Sequence, residues 1–135
     1  MDVINIKTFQ RVEFIDITSE IEKIIINSGT DSGIVSLFVP HTTAALTLNE
    51  NADPSVKNDI KYKLNSLIPK NDNYTHSEGN SDSHLKSSIF GPSLTLIISG
   101  RSLVLGTWQG VYFCEFDGPR NRKLYVKIIK DNDSV

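Results

Sequence analysis

Gly110-Val111-Tyr112-Phe113-Cys114-Glu115-Phe116-Asp117-Gly118-Pro119-Arg120-Asn121-Arg122-Lys123-Leu124-Tyr125-Val126-Lys127-Ile128-Ile129-Lys130 is the stretch that decides the fold. Two largely apolar runs, Gly110 to Asp117 and Arg122 to Lys130, flank a turn rich in Asp, Gly, Pro and Asn, the residues that favour reversals. The spacing predicts a strand pair. Tyr112, Cys114 and Phe116 fall on one face, and Leu124, Val126 and Ile128 supply the partner face. Cys114 on that apolar face is then a small core residue and no nucleophile.

Working outward, Val3 to Phe9 and Arg11 to Ile17 are short, β-branched and roughly alternating, as half-buried antiparallel strands are. Thr18 to Glu22 predicts a helix start with Ser19 capping and Glu22 reaching back. Ile21, Ile24 and Ile25 form its buried stripe and Gly29 its left-handed stop. Gly33 to Val39 predicts a strand ended by Pro40, and Ala44 to Leu48 a further one. Asp53 caps a second helix whose first residue is Pro54, followed by Val56, Ile60, Leu64 and Leu67 at helical spacing. A long polar connection runs from Lys70 to Ser83, with a short helix from His84 to Phe90 before Gly91-Pro92. Ser93 to Ile98 and Leu103 to Leu105 complete the strands, and the tail from Asp131 to Val135 is expected to fray. The expected fold is α+β: a largely antiparallel β-sandwich with two main helices in a single domain over 1–135, ordered from about 3 to 130.

The bulk numbers narrow the function. At 135 residues the chain is one domain, and a net charge of −2 gives no basic surface for nucleic acid. A single cysteine excludes an internal disulfide or multi-thiolate zinc site and suits a reducing, cytoplasmic compartment. No apolar run approaches ~20 residues, so no membrane span is expected, and Met1 to Asn5 lacks the features of a signal peptide. No catalytic-triad signature, Walker loop or dinucleotide glycine loop is present.

The chemistry concentrates in two phrases. Tyr74-Thr75-His76-Ser77-Glu78-Gly79-Asn80-Ser81-Asp82-Ser83-His84 holds two of the three histidines, and Pro40-His41-Thr42-Thr43-Ala44-Ala45-Leu46 holds the third. Three imidazoles suffice for an open metal site, so His41, His76 and His84 are candidate ligands, although their spacing matches no local ligand signature. General acid–base work is the other reading, with Glu50, Asp53 or Asp82 orienting an imidazole. The competing reading is a set of solvated loop histidines. Thr42 and Thr43 offer hydroxyls and amides to an anion, and Arg120 and Arg122 donate in pairs to phosphate or carboxylate. Trp108 suits a core or subunit interface better than a stacking platform; Gln109 suits a ligand or a neighbouring backbone.

Five phrases in order carry a resemblance: Pro40 to Leu46, Asn49-Glu50-Asn51-Ala52-Asp53, His76 with Asn80 and His84-Leu85-Lys86, Leu105-Gly106-Thr107-Trp108-Gln109, and Glu115 to Arg122. Over roughly Ile4 to Ile129 the chain resembles the YjbQ-type family, known as secondary thiamine-phosphate synthase enzymes. The resemblance implies a homotrimer and a site drawn from His41, Glu50, Asp53, His76, Asn80, His84, Trp108, Gln109, Asp117 and Arg120. It departs at Asn80-Ser81-Asp82-Ser83-His84, where the family has Asn-Ala-Asp-Ala-His, and at Ile98-Ser99, where a proline often precedes Gly100. The implied reaction joins hydroxymethylpyrimidine diphosphate to thiazole phosphate and releases pyrophosphate. His41, Glu50, Asp53 and His84 are then the expected catalytic residues; Thr42, Thr43, Asn80, Trp108, Gln109 and Arg120 contact substrate. A divalent metal, zinc or magnesium, is an expected cofactor. Cations near these motifs are few, chiefly Lys86, Arg120 and Arg122, so the activity is expected to be weak or secondary. The alternative is a non-catalytic trimer that binds a metal or anion.

Overall fold

The computed structural model describes residues 1–132. Eight strands and three helices follow in the order β1 (Asp2–Lys7), β2 (Glu13–Asp16), α1 (Thr18–Ser28), β3 (Gly33–Phe38), β4 (Ala44–Glu50), α2 (Pro54–Leu67), α3 (Ser81–Phe90), β5 (Ser93–Ser99), β6 (Ser102–Leu103), β7 (Gln109–Glu115) and β8 (Asn121–Lys130). Every pairing is antiparallel. One sheet has the order β1-β8-β3-β5-β6 and the other β2-β7-β4. The fold is α+β, as the sequence predicts.

The decisive stretch behaves differently from its reading. β7 and β8 are both strands, but they do not pair with each other. β7 lies between β2 and β4, and β8 between β1 and β3. The turn from Asp117 to Asn121, with a cis Gly118–Pro119 bond, carries the chain from one sheet to the other. The phase is also corrected. Val111 and Phe113 join Leu124 and Val126 in the core between the sheets. Tyr112, Cys114 and Phe116 point the opposite way, into a second cluster capped by Ile60 and Leu64 of α2 and Phe90 of α3. β7 is thus buried on both faces, which alternation alone does not reveal. Gly118 has to be glycine: a Cβ there would lie 2.2 Å from the Gln10 carbonyl oxygen.

α1 buries Ile21 and Ile25 and stops at Gly29, whose φ is 69°. Its start is not the expected capping box. Asp16 Oδ1 accepts from the Thr18 N–H and hydroxyl, while Glu22 accepts from Ser102 and the Leu103 N–H. The acidic group preceding the helix satisfies the free donors, so Glu22 is released to tie α1 to β6. α2 starts as read, with Asp53 accepting from the Ser55 N–H at 2.9 Å and Pro54 in the first turn.

Beside the two main helices, the short helix expected from His84 to Phe90 is present and starts three residues earlier. α3 begins at Ser81 and has inverted polarity. Asp82, Ser83, Lys86 and Ser87 are buried, whereas Leu85 and Ile89 are 45% and 67% exposed. Of the expected frayed tail, Asp131 donates its N–H to the Ser32 carbonyl at 3.0 Å; residues after Asn132 lie outside the described residues. No helix among the described residues is long and apolar enough to cross a membrane.

Candidate functional site

An open cavity of about 540 Å³ forms where the end of β3, the start of α3 and the β7–β8 turn meet. His41, Thr42 and Thr43 line one side, Glu78, Asn80 and His84 another, and Asp117, Arg120 and Arg122 the third. The two polar phrases therefore do come together, and the turn joins them.

The floor is a buried ion pair. Inward-facing positions along β7 and β8 hold apolar residues until, at the pocket end, Glu115 and Arg122 take their place. Arg122 is bidentate to Glu115, donating from Nε to Oε1 at 2.8 Å and from Nη2 to Oε2. Thr8 donates its hydroxyl to Glu115 at 2.8 Å, and Arg122 also donates to the Thr43 hydroxyl at 2.8 Å. Burial pushes the Glu115 carboxyl up, but these donors and the Arg122 charge outweigh it and hold the carboxyl below the usual range. Thr43 is thus 5% exposed and committed to the floor, while Thr42 stays exposed at the rim.

Above the floor, Asp117 anchors two more residues. It accepts from Arg120 Nη2 and from Asn80 Nδ2, each at 2.9 Å. The second bond fixes the Asn80 amide with Oδ1 turned away from Asp117. That oxygen is buried and, among the described residues, has no donor; Asn80 is 9% exposed and lines the cavity. Buried acceptors without donors are rare, and in a pocket wall they mark where a ligand or water belongs. Arg120 uses one N–H on Asp117 Oδ2 and one on the Asp117 carbonyl. A guanidinium carries five donors, so three remain for a ligand.

The histidines divide. His41 Nε2 accepts the Lys123 N–H at 2.9 Å, which places the neutral ring's proton on Nδ1. Burial and the nearby Arg122 hold His41 below its ordinary value, against the opposite pull of Glu115. His84 stands between the main cavity and a neighbouring one of about 380 Å³ that His76 lines. The His76 and His84 rings meet edge to face at 5.4 Å, and His76 lies 3.6 Å from Glu78. Among the described residues no three His, Cys, Asp or Glu side chains converge to hold a metal. Of the three histidines expected to share a metal, His41 has its Nε2 engaged by the Lys123 N–H, and His76 lines only the neighbouring cavity, on the far side of His84.

Four candidates lie elsewhere. Glu50 and Gln109 are register partners on β4 and β7. Gln109 accepts the Gly106 N–H at 2.8 Å, and Trp108 is 61% exposed. Asp53 is the cap of α2. Within one protomer none of them reaches the pocket. Missing from the expected site residues are Glu115 and Glu78, whereas Asp117, implied by the resemblance, does line the cavity. The signal for Glu115 is present: a carboxylate inside Val111 to Phe116, a run buried on both faces, needs a buried cation, and Arg122 falls in phase with Leu124 and Val126.

Fold and pocket define a small α+β domain with an open, polar pocket walled by His41, His84 and two guanidinium groups. The profile of the UPF0047 protein YjbQ-like family matches residues 2–131, and the chain belongs to that family. A UPF0047 protein of Methanocaldococcus jannaschii is 59% identical over 126 residues, covering 93% of this chain and 91% of that one. YugU of Bacillus subtilis is 46% identical over 130 residues, covering 96% and 98%. The crystal structure of a YjbQ/UPF0047 family protein from Clostridium acetobutylicum superposes with a TM-score of 0.94 at 50% identity, covering 96% and 100%.

Proposed function

We propose that the 540 Å³ pocket binds a small phosphorylated molecule. We further propose that it couples hydroxymethylpyrimidine diphosphate to thiazole phosphate as a slow, secondary activity in the cytoplasm. The observation that supports binding is the convergence of three separated phrases on one cavity, with an unfilled Asn80 acceptor beside a half-free Arg120. Arg120 and Thr42 take phosphoryl oxygens, and Asn80 Oδ1 accepts an N–H or O–H of the ligand. The thiazole nitrogen attacks the pyrimidine methylene carbon as its C–O bond breaks, and pyrophosphate leaves with the bonding electrons. His84 donates a proton to that leaving group, and His41, with Nε2 held by Lys123, offers Nδ1–H to it.

The charge balance explains why the reaction is slow. Arg120 and Arg122 are each paired with a carboxylate, so the lining has no surplus positive charge to stabilise departing pyrophosphate. A magnesium ion arriving with the diphosphate would meet oxygen donors at Asp117 and Glu78 and supply that charge. The same balance favours the second reading, a non-catalytic anion-binding trimer.

The trimer is part of the proposal. The outer face of the five-stranded sheet has no helix over it and carries Ile34, Phe38, Ile97 and Ile129, all at least 36% exposed. A contiguous apolar face of this kind marks an interface. Phe38 belongs both to it and to the pocket lining, so a neighbouring protomer would border the site. Glu50, Asp53, Trp108 and Gln109 would enter a site only through such an assembly.

The test is an assay of thiamine phosphate and pyrophosphate formation by purified protein. Wild type is expected to turn over, and His84→Ala to lose about 100-fold or more, the scale of a lost general acid. Product no faster than the uncatalysed mixture, or undiminished turnover by His84→Ala, overturns the catalytic reading.

A further inference from the structure

On the other side of α3 from the pocket lies a second cleft of about 480 Å³, between α2, α3 and the β1–β2 loop. Arg11, Lys61, Lys70 and Lys86 line it, against one carboxylate, Asp82. We propose that this cleft is a separate binding site for a small anion carrying phosphoryl groups.

The geometry at its base is built, not incidental. Asp82 is fully buried, and Arg11 grips it bidentately at 2.8 and 3.1 Å. Lys86 is 1% exposed and donates to Asp82 Oδ2 at 2.9 Å and to Asn65 Oδ1 at 2.7 Å. Asp82 is therefore shared by two cations, and the triad, buried at Asp82 and Lys86 and 30% exposed at Arg11, carries one net positive charge. An ammonium has three donors; Lys86 Nζ has two acceptors, and no third among the described residues. Burial pushes the Asp82 carboxyl up, yet Arg11 and Lys86 together bring it below the usual range, so the carboxylate stays charged and held.

Lys61 and Lys70 add two further charges at the mouth, and neither ammonium makes a hydrogen bond or ion pair among the described residues. Four cationic groups thus face one cleft in a chain whose net charge is −2. Such local concentration against the overall sign draws multivalent anions and focuses the field inside a low-dielectric wall. A carboxylate ligand would leave most of that surplus unmatched; a phosphoryl group has the charge and the several oxygens to reach donors on three elements at once. The first pocket, with both guanidiniums paired, holds no such surplus. The two sites share α3 as a wall: Asn80 and His84 line one, Asp82 and Lys86 the other.

The experiment is a titration of the full chain with inorganic pyrophosphate at constant ionic strength, followed by amide 1H–15N spectra. The amides of Arg11, Lys61, Asn65 and Lys70 are expected to move together with one Kd. Lys61→Ala/Lys70→Ala, a double change on solvent-facing side chains, is expected to weaken that Kd at least tenfold while the shifts at Thr42 and Arg120 persist. The proposal is overturned if those four amides stay still in wild type, or if the double variant keeps the wild-type Kd. It is equally overturned if chloride at matched ionic strength reproduces the shifts, which would make the lysines a solvated rim over a structural ion pair.

Discussion

Glu115 and Arg122 form a buried ion pair under the pocket. Both side chains are at most 5% exposed, so removing one charge strands the other in the core. Glu115→Gln is expected to cost about 3–5 kcal/mol in urea unfolding, the usual penalty for breaking a buried pair. The pH dependence follows in sign. The folded Glu115 carboxyl lies below its unfolded value of ~4.3, so its contribution is complete above about pH 5 and is lost as pH falls through that value toward the folded one. Wild-type stability should therefore drop as pH falls below ~4.3, and less steeply in Glu115→Gln, where other lowered carboxyls, Asp82 and Asp16 among them, supply the remaining slope. His41 titrates in the opposite region: its imidazole midpoint by NMR is expected below ~6.5, because burial and Arg122 disfavour the cation. A midpoint above that value would mean that burial and Arg122 do not dominate at His41. At this scale much of the pocket was legible. His41, Asn80, His84 and Arg120 stand in runs too polar for a core. Asp82 and Lys86 were not, because nothing local distinguishes a buried charge from a solvated one until its partner is placed.

Elements whose burial follows apolar spacing were readable. α1 follows its isoleucines, and α2 follows Asp53-Pro54 and the Val56, Ile60, Leu64 series. Of α3 only His84 to Phe90 was read as helix, and its docked face was not legible, because its buried stripe is polar. It faces Arg11, the Phe116 carbonyl and the Thr42 carbonyl through Asp82, Ser83 and Ser87, and its apolar residues point outward. This inversion gives a sharp contrast in stability. Asp82→Ala leaves Arg11 and Lys86 without their shared anion and is expected to cost about 3–5 kcal/mol; Ile89→Ser, at an outward position, is expected to stay within about 0.5 kcal/mol. Comparable losses for the two, by chemical denaturation, would mean that the helix is not docked by its polar face. The β7–β8 turn taught a related lesson. Alternation assigns residues to faces but not strands to partners, so a reversal between two good strands can be a crossing between sheets as easily as a hairpin.

For the whole molecule, the two sheets and α1 share one core, and α2 and α3 cover the outer face of the three-stranded sheet. The five-stranded sheet is left with an apolar exterior, of which the sequence showed only alternating aliphatic residues. If that face is where three protomers meet, Ile34→Asp/Ile97→Asp should shift the sedimentation of the protein to that of a monomer of 15.0 kDa without loss of secondary structure. An unchanged sedimentation coefficient would remove the face from the assembly. The central claim concerns the pocket between His41, Asn80 and Arg120. Its most direct test is calorimetric titration with inorganic pyrophosphate of the Lys61→Ala/Lys70→Ala protein, in which the second cleft is silenced, and of the same protein carrying Arg120→Ala. The account predicts one remaining site per chain, weakened at least tenfold, or about 1.4 kcal/mol, when Arg120 is removed. No remaining site, or the same Kd with and without Arg120, would contradict it.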